Sequence, residues 1–232
     1  DMYRSKFPMH KVKDKMEEVP SFEAFDKMVG DAMKAAGGSV VLLSSTVVSP
    51  SAKDIIGKFP HLRHVQYDAV SCSGMLLANE ASGFGRKLPN YKFDAAKVIV
   101  SLGADFLGTW LSPVEHARGY AKGRKIDEKN PVMSKHYQFE SHLSMTGSNA
   151  DERFTHRPSE TGAVALALAA AVGISGVSSF IADAKLKEAI DKVAADLKGH
   201  NGEALVVCGS NDKNVQVIVN AINNSIGAFG KT

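Results

Sequence analysis

Over residues 21–36, Phe22, Phe25, Met28, Val29 and Met33 recur at the three- and four-residue spacing of one helical face, with Ser21 as an N-cap and Gly37-Gly38 as a stop. The spacing predicts a helix. Residues 39–44 then gather Val and Leu between Gly and a Ser/Thr-rich stretch, the pattern of a central parallel strand covered on both faces. The alternation continues with a helix at 50–58, a strand at 64–67 and a helix at 73–82. A strand at 96–102, a helix from 113 to about 122 and a weaker strand at 137–140 follow. Residues 159–172 and 183–197 read as helices, 204–207 as a strand, and 213–226 as a closing helix. Between them, residues 141–158 are polar without a sustained period, which marks a long loop of functional interest.

Short apolar strands separated by helices place the chain in the α/β class. The expected architecture is an open, mostly parallel, Rossmann-like sheet of about five strands with helices on both faces, because parallel crossovers are right-handed. We read residues 1–232 as a single α/β region, with two lobes at about 20–95 and 96–232 as the alternative. In such sheets ligands bind beyond the carboxyl ends of the strands, where loops and helix N-termini converge. That rule nominates Ser44, Ser45, Thr46 and Ser49 after the first strand, and Gly103, Asp105, Gly108 and Thr109 after the third. It also nominates Glu140 and Ser141, then Gly209, Ser210, Asn211 and Asp212. Hydroxyl and glycine residues there suit an anionic or nucleotide-like ligand; equally, they suit helix capping.

Composition narrows the function classes. The chain has 232 residues, 44% of them hydrophobic, enough for a sizeable core. Its 28 Lys+Arg against 25 Asp+Glu leave a net charge of +3, so a nucleic-acid partner is not expected. The longest nearly apolar stretch, residues 162–177, is shorter than the ~20 residues of a membrane-spanning helix, so direct membrane insertion is not expected. Residues 1–18 are charged and lack the apolar core of an export signal. Two cysteines, Cys72 and Cys208, exclude a cluster held by four cysteines within these residues. No dinucleotide fingerprint, P-loop, nucleophile elbow or zinc-protease motif occurs, and His136, His142 and His156 near the polar segment lack a ligand spacing. Cys72 precedes a predicted helix, where the dipole favours a thiolate; the alternative is a small buried side chain.

Three stretches together resemble the molybdopterin oxidoreductase family, nearest to its cofactor-poor relative in the B (iron–sulfur) subunit of alternative complex III, a membrane quinol oxidoreductase. AKVIVSLGADFLGTWLSP, residues 96–113, resembles the family's strand and Gly-Asn-Pro loop, with Gly103 kept and Ala104-Asp105 in place of Asn-Pro. HYQFESHLSMTGSNADERFTHR, residues 136–157, is similar to the stretch that begins at an acid-Pro-Arg turn. Glu140 matches the acid, Thr146 the Thr, Ala150-Asp151 the Ala-Asp pair, and Arg157-Pro158 the Arg-Pro. AVSCSGM, residues 69–75, resembles the segment carrying the metal-ligating cysteine, at or beside Cys72.

The resemblance implies a non-catalytic domain that scaffolds electron transfer by neighbouring iron–sulfur and haem centres. Its cofactor-contacting positions would be vestigial, at Gly103, Asp105, Glu140, Thr146, Asp151 and Arg157, beside Ser44, Thr46, Gly209 and Asn211 from the topology rule. No cofactor is expected in these residues. The implied partners are the haem c and quinol-oxidising membrane subunits of a respiratory complex on the periplasmic side of the bacterial inner membrane, with iron–sulfur clusters elsewhere in a longer parent protein. The alternatives are a true molybdopterin guanine dinucleotide-binding domain, with Cys72 as molybdenum ligand, and a small nucleotide- or anion-binding α/β module.

Overall fold

The computed structural model describes residues 6–47, 49–59, 61–126, 128 and 131–232. The chain divides between Val70 and Ser71 into two compact units. The first opens with an antiparallel hairpin, β1 (Met9–Val12) and β2 (Lys15–Glu18), turned through Lys13 at φ +54°. Helix α1 (Phe22–Ala35) follows, its Ser21 hydroxyl accepting from the Ala24 N–H at 3.2 Å, as the sequence predicts. Strand β3 (Val40–Ser44), helix α2 (Pro50–Gly57) and strand β4 (Leu62–Gln66) form one βαβ crossover, and β3 pairs in parallel with β4.

Here the structure corrects an expectation. Among the described residues β3 pairs with β4 alone, and its Val41 and Leu43 are 58% and 68% exposed. A run of Val and Leu says that a strand forms but not that both its faces are covered. Only the face carrying Val40, Leu42 and Ser44 is half-buried. The hairpin also escapes prediction, because β2 reads Lys-Met-Glu-Glu, with no apolar face to reveal a period of two.

The second unit contains α3 (Ser73–Ala81), β5 (Val98–Leu102), α4 (Pro113–Arg124), β6 (Lys135–Glu140), the short α5 (Met145–Ser148) and β7 (Glu152–Thr155). A 3-10 turn, Pro158–Glu160, leads into α6 (Thr161–Val172), followed by α7 (Ala184–Gly199), β8 (Ala204–Cys208) and α8 (Lys213–Ser225). Four parallel strands lie in the order β7-β6-β5-β8, an open Rossmann-like α/β sheet. The expected sheet of about five strands is thus four strands here and a separate pair in the first unit. Strand β7 lies inside the stretch read as a loop; its four residues, Glu-Arg-Phe-Thr, carry one apolar side chain.

Apolar side chains leave both faces of the sheet. Val98, Val100, Leu102, Tyr137 and Phe139 pack with α6, α7 and α8 on one face; Ile99, Leu205 and Val207 pack with Phe93, Phe106 and Tyr120 on the other. Helix α3, on the near side of a lobe boundary at residue 95, belongs with this unit: the Asn211 Oδ1 accepts from the Gly74 N–H at 2.8 Å, and Asn220 donates to the Asn79 Oδ1 at 2.9 Å. No described helix is long and apolar enough to cross a membrane.

Candidate functional site

Strands β6 and β7 extend the sheet to one side of β5, and the chain then returns to place β8 on the other, so the strand order reverses between β5 and β8. A cleft of about 260 Å3 opens at the carboxyl ends there, lined among others by Gly103, Asp105, Glu140, Ser144, His156 and Gly209. The two glycines let the strand ends close up. Gly103 takes φ +67°, and Gly209 donates its N–H to the Leu102 carbonyl at 3.0 Å. A Cβ on Gly209 would stand 2.2 Å from the Gly103 carbonyl oxygen, so only glycine fits.

Glu140 ends β6 and is 2% exposed. Its Oε1 accepts from the Arg153 Nε at 2.5 Å and the Ser144 N–H at 3.2 Å; its Oε2 accepts from the Ser144 hydroxyl at 2.6 Å and the Gln138 amide at 3.0 Å. Burial alone would raise this carboxyl, but the Ser144 and Arg153 donors outweigh it and hold it below the ordinary value. Gly147 packs directly on it, where a Cβ would lie 1.9 Å from the Oε1.

Asp105 and Thr146 form a second lock. The Asp105 Oδ1 accepts from the Thr146 N–H at 3.1 Å and its hydroxyl at 2.8 Å, while the Thr146 Oγ1 accepts from the Leu107 N–H at 2.9 Å. Asp151 lies at the other end of β6. It takes both Arg124 amino groups at 2.7 Å and the His136 N–H at 2.7 Å, and the guanidinium holds its carboxyl below the ordinary value.

A buried polar stripe joins these ends along one face of β6. His136 meets the Tyr120 hydroxyl through Nδ1 at 3.1 Å and the Gln138 Oε1 through Nε2 at 3.3 Å; Gln138 in turn donates to Glu140. Burial drives the His136 pKa down to about 4, so the ring is neutral at pH 7. His156, also buried and lowered, contacts the Thr161 hydroxyl through Nε2 at 3.0 Å. That hydroxyl donates to the Pro158 carbonyl, so Nε2 carries the histidine proton, and Nδ1 has no partner among the described residues.

The structure therefore gathers Gly103, Asp105, Glu140, Thr146 and Gly209 at one place in the second unit, with Asp151 apart from them, just before β7 and beside the start of β6. Asn211 instead serves α3 through Gly74, and Arg157 is exposed beside a different groove. Ser44 and Thr46 belong to the first unit. There the Ser44 hydroxyl lies 2.8 Å from the His64 Nε2, a pairing the sequence did not reveal. Asp68 binds the Thr46 N–H and hydroxyl, which lower its pKa, so no Ser-His-Asp relay forms. Cys72 is half-buried at the start of α3, and Cys208 is buried with its thiol pushed up to about 11.

Sequence reasoning missed Arg153, Ser144, Gln138 and Arg124, the groups that hold the carboxylates in place. The alternation His136, Gln138, Glu140 was the available signal, since residues two apart share a strand face. Compared with known proteins, the sequence matches no family model and no curated protein.

The residues that the resemblance assigns to a molybdopterin guanine dinucleotide do not fit that group. Glu140 and Asp151 have their acceptor oxygens occupied by internal donors, and Thr146 is wholly buried against Asp105. The cleft of about 260 Å3 is also smaller than the roughly 300–1,000 Å3 of ordinary small-molecule sites.

Proposed function

We propose that this chain is a non-catalytic, molybdopterin-oxidoreductase-like domain of a respiratory quinol oxidoreductase subunit on the periplasmic side of the bacterial inner membrane. In this reading it is a rigid mount that holds neighbouring iron–sulfur and haem centres at fixed separations. Resemblance in the 96–113 and 136–157 stretches supplies the class. One observation carries the non-catalytic assignment: four donors at 2.5 to 3.2 Å fill Glu140. A carboxylate offers about four lone-pair sites, so this one keeps none for a ligand.

The same interactions support a mechanical role. Glu140–Arg153 ties β6 to β7, Asp151–Arg124 ties the start of β7 to α4, and Asp105–Thr146 ties the loop after β5 to α5. Metal and pterin analysis of the intact parent protein tests the reading. The expected result is no stoichiometric molybdenum and no fluorescent pterin oxidation product; finding both in one-to-one ratio with the protein overturns it.

A further inference from the structure

The two edges of the four-stranded sheet are treated differently. Along β8, every outward carbonyl has a side-chain donor: Thr232 reaches Ala204 at 2.9 Å, Asn223 reaches Val206 at 2.7 Å, and Gln216 reaches Cys208 at 2.8 Å. The Val206 N–H is taken as well, by the Asn223 Oδ1 at 2.9 Å. Along β7, the His156 N–H donates to the Glu140 carbonyl, which with the register Tyr137↔Glu152 turns the even-numbered positions toward β6. Arg153 and Thr155 then aim their main-chain N–H and C=O groups away from the sheet, and none of these four groups has a partner among the described residues. The free stretch is bounded at both ends. The Asp151 N–H is spent on the His136 carbonyl, and the Arg157 N–H on the Glu160 carboxylate. Phe154 is therefore the centre of a symmetric set of free main-chain groups.

Symmetry about one residue is what a strand needs to pair with its own copy. With two β7 strands antiparallel across a two-fold axis through Phe154, Arg153 of each copy faces Thr155 of the other as a hydrogen-bonded pair, and every free group on both copies is used. Moving the axis to Arg153 would pair Thr155 with Asp151, and moving it to Thr155 would pair Arg153 with Arg157. Either shift meets an N–H that is already spent, and the second also sets two cations opposite one another. The surroundings favour no partner of one sign. Beside β7 runs a groove of about 450 Å3, floored by Leu186 and Ala189, where Glu152, Asp183 and Glu188 stand against Arg153, Lys185 and Lys192. A balanced surface suits its own copy, in which carboxylates and cations meet reciprocally.

We infer that the outer edge of β7 is a contact between two copies of this chain, which join β7 to β7 in antiparallel about a two-fold axis at Phe154 and so continue each four-stranded sheet into the other. Four residues span only about 13 Å, so the strand hydrogen bonds fix the register and do not supply the area of the contact. Apolar area comes from the same edge. Phe180 is 86% exposed there, beside a space of about 660 Å3 that adjoins the groove.

The test uses the 232-residue chain, 15N-labelled, in sedimentation equilibrium and amide exchange from about 50 μM to about 1 mM. The mass is expected to climb from that of one chain toward that of two, while exchange at the Arg153 and Thr155 amides slows by about threefold or more over the same range. Thr155→Pro removes an outward donor and leaves the β6 ladder whole, so it should raise the dimer Kd about tenfold or more. Phe180→Asp, on an exposed side chain, should raise the Kd about tenfold at an unchanged melting temperature, which keeps the test sound should the proline variant fold poorly. A mass of one chain up to about 1 mM overturns the inference. So does a dimer whose formation leaves exchange at Arg153 and Thr155 unchanged, or one that neither variant weakens.

Discussion

The carboxamide of Asn223 sits astride Val206, accepting its N–H at 2.9 Å and donating to its C=O at 2.7 Å. A side chain so placed makes both hydrogen bonds that a neighbouring strand would make, so α8 closes the β8 edge against further pairing. Replacing Asn223 by Leu leaves two buried main-chain groups of Val206 without partners. The expected loss is about 2–4 kcal/mol of unfolding free energy, with new association through the opened edge. Urea denaturation and light scattering check both. Asn224→Ala, one residue along on the exposed face of α8, should stay within about 0.5 kcal/mol of the parent.

Gly147 and Gly162 make a matched pair of glycine-to-alanine tests. A Cβ on Gly147 would fall 1.9 Å from the Glu140 Oε1, which Arg153 and Ser144 already hold, so the carboxylate must move. Gly147→Ala is expected to cost about 2–3 kcal/mol by straining this lock. On Gly162, within α6, a Cβ meets only the Val215 Cγ2 at 3.6 Å, an ordinary contact. Gly162→Ala should be neutral or stabilise by up to about 1 kcal/mol through helix propensity. Melting temperatures of the two variants give the comparison.

How much of this was legible depends on which signal each residue carried. Helix α1 announced itself through a cap that the structure reproduces, Ser21, whereas Asp212, nominated for the crevice, serves as the cap of α8. The crevice residues Gly103, Glu140 and Gly209 followed from one topological rule, applied to two fully buried apolar strands and the weaker, partly polar β6 between them and β7. Strand β7 was illegible because its identity comes from tertiary pairing with β6, not from its own pattern. The state of Glu140 was illegible for a related reason. Sequence shows an acid at a strand end, but saturation by Ser144, Gln138 and Arg153 depends on where α5 and β7 fold back.

His136 gives the chain a pH dependence of definite sign. Burial lowers its pKa from 6.5 to about 4 in the fold, with the Arg124 charge acting in the same direction, against the Gln138 hydrogen bond and the charges of Asp151 and Glu140. The unfolded chain therefore binds the proton below about pH 6.5, while the folded chain waits until about pH 4. Stability is fully present above the upper value and falls as pH drops through that window, by an amount on the order of 3 kcal/mol for this residue. His116 and His156 are lowered by burial too and add in the same direction. Urea midpoints from pH 7.5 to pH 4.5 should show the decline, and His136→Gln should flatten its largest part.

Glu140→Gln tests the carboxylate lock itself. All four contacts are donors, from Arg153, Gln138 and twice from Ser144. A carboxamide presents one acceptor oxygen and turns its NH2 toward two of those donors, leaving Arg153 without its counter-charge. The expected destabilisation is about 2–4 kcal/mol at pH 7. The sign of its pH dependence is opposite to that of a gained base. The folded-state pKa of Glu140 lies below 4.5, so its contribution is present above that value and disappears as pH falls through the folded one. Parent and variant should thus converge in stability toward acid pH, while the rest of the acid loss is shared by the buried histidines and by lowered carboxyls such as Asp151 and Asp196. A double-mutant cycle with Arg153→Met isolates the pair. Because Arg153 also donates at the shortest of the four distances, 2.5 Å, a coupling above about 1 kcal/mol is expected; additive variants would mean that Ser144 and Gln138 hold the carboxylate on their own.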